Sequence, residues 1–311
     1  MSKKSLVGIA GLFLLTALTA CGGSDPTTET SVVETTETTS ASSTYPVTVG
    51  DLTLTTQPMR IISLSPTATE MLYAIGAGVQ VVAVDDYSNF PAEAVALGTA
   101  LSGYEPNVEA IAGYTPDLVI VAYDAGGIVD QLKSLSIPVF MAAAATSFED
   151  VYSQIEQLGA LTGNLENAVQ LSGQMQTDIA AAVAEVQLPT TPITYFHELD
   201  NTLYSATSNT FIGQVYGLFG LKNIADGVID GNDYPQLSAE VIVKANPDII
   251  FISHSETPEV VAARDGWGRL KAVTNNQVIA LPADIPSRWG PRIVEFVKVI
   301  RDAIALVAAN S

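Results

Sequence analysis

From residue 58 onward, short unbroken apolar runs alternate with segments whose apolar residues recur every three or four positions. Residues 61–64, 81–84, 118–122 and 139–143 are of the first kind and predict buried strands. Residues 68–75, 108–114 and 128–135 are of the second kind and predict helices between them. Strands with no polar face, separated by helices, imply a parallel sheet covered on both sides. Residues 148–186 break this rhythm with one long helical stretch, interrupted at Gly163-Asn164. The part from 165 to 186 contains no proline and would reach about 30 Å at 1.5 Å per residue. Pro189 and Pro192 end it, and a strand over 193–196 opens a second alternating series.

The second series echoes the first. Val108-Glu109-Ala110-Ile111 and Thr115-Pro116-Asp117-Leu118-Val119-Ile120 reappear as Ala239-Glu240-Val241-Ile242 and Asn246-Pro247-Asp248-Ile249-Ile250-Phe251, each 131 positions later. Glu, Pro and Asp all hold this offset, which points to two related lobes rather than chance. The predicted architecture is α/β. Two Rossmann-like lobes with parallel sheets, 58–147 and 189–311, are joined by a single long backbone helix within 148–188. A ligand cleft lies between them.

The polar pattern before residue 58 has a different meaning. Lys3 and Lys4 precede an apolar run over 6–18 that is short for a membrane span, followed by Leu18-Thr19-Ala20-Cys21-Gly22. Residues 1–20 therefore predict a lipoprotein signal peptide, and Cys21 predicts a lipidation site that anchors an extracytoplasmic protein to the cell membrane, with palmitate as an expected acyl group. Residues 21–50, rich in Thr, Ser and Glu, predict a disordered tether, with order beginning near Val47. Cys21 is the one cysteine, so no disulfide supports the lobes. Loss of Lys3 and Lys4 takes the formal charge from −20 to −22, a surface that repels nucleic acid.

No Gly-x-Ser-x-Gly elbow, Walker loop or His-Glu-x-x-His helix occurs. No metal centre, resident cofactor or enzymatic activity is expected. A surface hydrolase or an adhesin is the alternative of another class, but neither a catalytic pair nor a binding patch outside the cleft stands out. In open parallel sheets ligands bind beyond the carboxyl ends of the strands. Those places and nearby loops carry Asp85-Asp86-Tyr87, Tyr104, Tyr123-Asp124, His197-Glu198, Tyr234, His254, Asp284, Arg288 and Trp289. Aromatic rings with a few polar groups suit a large conjugated ligand. Glu109 and Glu240 each follow an N-cap residue, Asn107 or Ser238, in a first helical turn. They either complement the helix dipole or present matched carboxylates to a partner's cations.

Arg60-Ile61-Ile62-Ser63-Leu64-Ser65-Pro66-Thr67-Ala68-Thr69-Glu70, Val84-Asp85-Asp86-Tyr87-Ser88-Asn89-Phe90-Pro91, Tyr234-Pro235-Gln236-Leu237-Ser238 and the Gly-Pro-Arg ending at Arg292 resemble the helical-backbone (class III) substrate-binding proteins. These serve ABC importers of cobalamin, ferric siderophores and heme. Within that family the chain is most similar to the cobalamin branch. The resemblance implies two rigid lobes and a small metal-chelate cargo: cobalamin or another corrinoid, with a ferric siderophore or heme as alternative. It implies that Tyr87, Tyr104, Tyr234, Asp284, Arg288 and Trp289 line the ligand site, with His197, Tyr123 and Tyr204 as further candidates. It also implies that Glu109 and Glu240 dock on a permease dimer.

Overall fold

The computed structural model describes residues 45–99, 101–187 and 191–309. Cys21, the leader and residues 21–44 lie outside the described residues.

The chain enters through an antiparallel hairpin, β1 (Val47–Val49) and β2 (Leu52–Leu54). Val49, Leu52 and Leu54 pack into the main core. The tether expected over 21–50 therefore ends earlier, because alternate apolar residues here find a surface to cover.

The first lobe contains β3 (Ile61–Leu64), α1 (Pro66–Ala74), β4 (Val81–Val84), α2 (Ala92–Val95), α3 (Val108–Gly113), β5 (Leu118–Val121), α4 (Ile128–Ser134) and β6 (Val139–Met141). Its sheet is parallel, in the order β4-β3-β5-β6. The connection is α5 (Phe148–Thr162) and α6 (Leu165–Ala184), divided at Gly163-Asn164. Gly163 takes φ 77° at the end of α5, a conformation open to glycine. The two helices pack closely: a Cβ on Gly159 would collide with that of Ala168. The twenty-residue α6 is the long connecting helix, and α5 lies against it.

The second lobe contains β7 (Thr194–Glu198), α7 (Phe211–Gly217), β8 (Lys222–Asn223), α8 (Ala239–Ala245), β9 (Ile249–Ile252), α9 (Pro258–Ala262), α10 (Lys271–Thr274), β10 (Val278–Ala280), α11 (Asp284–Ser287) and α12 (Ile293–Ala309). Its parallel sheet runs β10-β9-β7-β8. Numbered within each lobe, both sheets have the order 2-1-3-4. The internal repeat is visible in the hydrogen bonds as well. Asp117 accepts from the backbone N–H of Arg60, and Asp248 from that of Thr194, so each ties down the start of the neighbouring strand.

Alternate strand residues serve different layers. Ile61, Tyr195, Ile249 and Phe251 join one core that continues through α5, α6 and α12. Ile62 and Val119 pack under the first lobe's own helices, and Phe196, Ile250 and Trp267 under the second's. The central core spans both lobes, so apolar burial resists their separation.

Candidate functional site

The order 2-1-3-4 reverses between β3 and β5 in the first lobe and between β7 and β9 in the second. These reversals open crevices at the strands' carboxyl ends. In the first lobe the crevice is a cavity of about 330 Å³. Leu64 and Ser65 at the end of β3, Ala122 and Tyr123 after β5, and Asp85 and Tyr87 after β4 line it, and Asp284, Arg288 and Trp289 of the second lobe close one side.

Three tyrosines form its aromatic wall. Tyr87 meets Tyr104 edge-on with ring centroids 5.3 Å apart, and Tyr104 meets Tyr123 at 6.1 Å. Each is about half exposed, at 55, 63 and 45 %. Rings this bare on a folded surface are waiting for a contact rather than filling a core. Desolvation, then the neighbouring Tyr104, pushes the Tyr123 phenol above its ordinary value, so this ring stays neutral. Trp289 is half-buried, its indole N–H donating to Gln154 at 3.3 Å.

Arg288 lines the cavity but is not available as a free cation. It is 6 % exposed. It donates to Glu70 at 2.8 Å, to Asn89 at 2.8 Å, to the Tyr87 carbonyl at 2.9 Å and to Asp284 at 3.1 Å. Arg292 reaches the same Glu70 carboxylate with a second fork. Glu70 rises from α1 and is buried, so the first lobe offers one carboxylate to two guanidiniums of the second. Asn89 adds a bond to Asp284 at 2.8 Å. This cluster pins the lobes together beside the cleft. Glu70 stands in the Ser-Pro-Thr-Ala-Thr-Glu opening, and the signal that could have assigned its role is a charged residue on the buried side of a helix, which requires a cationic partner.

The expectation of a ligand-facing His197 is corrected by its burial. His197 is fully buried in β7, with Nδ1 2.7 Å from the Tyr216 hydroxyl and Nε2 3.1 Å from the Ser253 hydroxyl. Both ring nitrogens are engaged, because β7 is covered on both faces. Burial, then His254, pulls its pKa down to about 3. His254 is also committed, to Glu198 at 2.8 Å. Glu198, His254 and Glu256 converge, but Arg264 donates to both Glu198 oxygens and to Glu256. Arg264 thus already neutralises the carboxylates of this cluster.

Tyr204 and Tyr234 are exposed in the second lobe and do not border the 330 Å³ cavity. Tyr204 bridges to Gln236 on the loop that also carries Tyr234. A larger groove of about 590 Å³ lies among Tyr73, Gly78, Val79, Phe90 and Arg292. It shares Glu70 and Arg292 with the ion cluster and lies outside the wall formed by Tyr87, Tyr104 and Tyr123.

Glu109 and Glu240 are both exposed in the first turns of α3 and α8, helices that start 131 residues apart. Asn107 accepts from the Ala110 N–H at 2.9 Å and Ser238 from the Val241 N–H at 3.2 Å, so the caps are occupied by other residues. Neither glutamate has an ion-pair partner among the described residues. Each helix runs antiparallel to its strands, which places its amino end on the cleft side of its lobe.

Two lobes of one topology, locked by a shared core and a buried ion cluster around an aromatic crevice, define a two-lobed ligand-binding protein. The chain belongs to the periplasmic binding protein family, which it matches over residues 61–285. It is 29% identical over 321 residues to the "Uncharacterized ABC transporter substrate-binding lipoprotein YvrC" of Bacillus subtilis (strain 168), covering 98% of each chain. It is 34% identical over 270 residues to a cobalamin-binding protein of Halobacterium salinarum, covering 81% of this chain and 72% of that one. The solved structure of a possible iron-binding (periplasmic solute-binding) protein from Staphylococcus epidermidis superposes with a TM-score of 0.70 at 27% identity, covering 80% of this chain and 99% of that one. The chain is thus an extracytoplasmic substrate-binding protein of an ABC importer, with a permease partner and a small-molecule ligand, in a family that binds its substrates rather than transforming them.

Proposed function

We propose that this protein captures cobalamin or a related corrinoid in the aromatic crevice and delivers it to its permease while tethered through a lipid on Cys21. The observation that carries the ligand reading is the combination of three tyrosine rings with a guanidinium whose donors are already committed. A ferric siderophore or a heme brings anionic groups, and a site for one needs uncommitted cations. A corrinoid offers a broad ring face and a rim of neutral amides, which aromatic walls and hydrogen-bond acceptors satisfy. The similarity to a cobalamin-binding protein supports the same ligand.

The lobes act as a preformed clamp. The shared core and the Glu70–Arg288–Arg292 cluster oppose hinge closure, so the ligand enters an organised site and little ordering cost falls on binding. Release then depends on the partner. Glu109 and Glu240 are the groups proposed to engage cations of the two permease subunits, supported by their equivalent places on the repeated helices. The leader and Cys21 support membrane anchoring, as does the likeness to a lipoprotein, and a tether raises the effective concentration of binding protein at the permease. Cys21→Ala is expected to release the protein from the membrane fraction.

A ferric chelate or heme is the second reading, favoured by the description of the Staphylococcus epidermidis neighbour. The absorbance of protein purified from cells given each cargo separates the two. A corrin spectrum is expected, and a Soret band would overturn the corrinoid assignment.

A further inference from the structure

Asp85 is a buried carboxylate on the lining of the crevice. It follows β4, lines the cavity and is 3 % exposed. Among the described residues only Ser88 hydrogen-bonds to its carboxyl, and the Ser88 hydroxyl donates to Oδ1. The Ser88 hydroxyl also lies 2.8 Å from that of Thr69, which lies 2.9 Å from that of Ser63, so hydroxyls from β3 and α1 pack behind the bonded side of the carboxyl. Oδ2 points toward Gly103. A Cβ on Gly103 would lie 3.0 Å from it and 2.9 Å from the Leu64 carbonyl. Gly103 does not have a positive φ, so backbone conformation does not explain the glycine. Its effect is to leave two acceptors, Asp85 Oδ2 and the Leu64 carbonyl, uncovered at the cavity floor.

We infer that Asp85 is a specificity-determining acceptor that selects ligands presenting a neutral N–H donor, such as a carboxamide, and rejects those presenting a carboxylate at the same place. This rests on the corrinoid reading and names the part of such a ligand that the floor recognises. An amide donates to Oδ2 and adds a donor to a buried carboxylate whose protein hydrogen bonds all come from one residue, Ser88. A carboxylate in its place would face Asp85 and Asp284, while Arg288 has its donors turned to other groups. Burial first, then the charge of Asp86, pushes Asp85 up to about 6 against the lowering influence of Ser88 and Arg288. The acceptor form therefore predominates at neutral pH.

The test uses the full folded domain and two defined probes: cyanocobalamin, and the monocarboxylates made from it by partial hydrolysis of its peripheral amides. Wild type is expected to favour cyanocobalamin over at least one monocarboxylate isomer by about tenfold or more. Asp85→Asn, which keeps an acceptor for Ser88 but carries no charge, is expected to shrink that preference to about two- or threefold. Gly103→Ala, which keeps the charge and covers Oδ2, is expected to weaken cyanocobalamin binding about tenfold. An unchanged preference in D85N together with unchanged affinity in G103A would overturn the inference and leave the corrinoid reading standing. Failure of wild type to bind cyanocobalamin at all would overturn both.

Discussion

Replacing Asp85 by asparagine should make the protein more stable at neutral pH and no more stable in acid. The carboxyl ionises with a pKa near 3.8 in an unfolded chain and is pushed up to about 6 in the fold, chiefly by burial. Well below pH 3.8 it is protonated in both states and costs nothing. As pH rises from about 4 to 6 the unfolded chain sheds its proton while the folded one retains it, so folding stability falls. Above about 6 the penalty is constant. A rise of about two units at ~1.4 kcal/mol each gives about 3 kcal/mol. The site is almost wholly buried, so solvent screening reduces this little. Asparagine is close in size and retains an oxygen for the Ser88 hydroxyl. For a body of this size, 3 kcal/mol corresponds to roughly 6–12 °C in melting temperature. Paired thermal unfolding of wild type and D85N at pH 4, 5, 6 and 7.5 reads the difference directly, because every other titrating group is common to both. The gap should be below about 1 kcal/mol at pH 4 and full by pH 7.5. A gap that does not vary with pH, or one that favours wild type at pH 7.5, would refute the reasoning. The native carboxylate is then a stability cost retained for ligand choice.

Glu70→Ala should destabilise the fold by about 3–5 kcal/mol, because it leaves the buried Arg288 and the partly buried Arg292 at the lobe seam without their shared carboxylate; a loss below 1 kcal/mol on chemical unfolding would mean that the cluster does not lock the lobes. His197, held neutral with its pKa near 3, binds fewer protons folded than unfolded below pH about 6.5, so stability should fall by about 1.4 kcal/mol per pH unit from about 6 toward 4 through this residue. Denaturant titrations of wild type and His197→Gln over that range should show the slope lost in the variant. Reversing both charges, Glu109→Arg with Glu240→Arg, should abolish uptake in cells while ligand affinity in solution stays within about twofold; a loss of affinity would place these residues at the ligand rather than at the permease.

Local pattern carried much of the architecture. The fixed 131-residue offset became α3 and β5 against α8 and β9, because capping, the Pro-Asp step and an apolar strand are all written within fifteen residues. The tyrosine wall was legible for the same reason: Tyr87 and Tyr123 follow strands closely, and topology alone places strand ends at the crevice. What escaped the sequence depends on distant partners. Arg288 reads as a cleft cation until Glu70, 218 residues earlier, is seen to take it. His197 reads as a strand-end ligand until Tyr216 and Ser253 enclose it from neighbouring elements. Asp85 stood out only as one of two adjacent acids, since the uncovered oxygen depends on a glycine eighteen residues on.

The central claim is met most directly by titrating the purified, cargo-free domain with cyanocobalamin and, separately, with hemin. Trp289, on the cavity wall, reports binding through quenching of its fluorescence. Saturable quenching at micromolar or lower cyanocobalamin, with hemin weaker by at least tenfold, is the expected result. No quenching by cyanocobalamin, with tight binding of hemin, would contradict it.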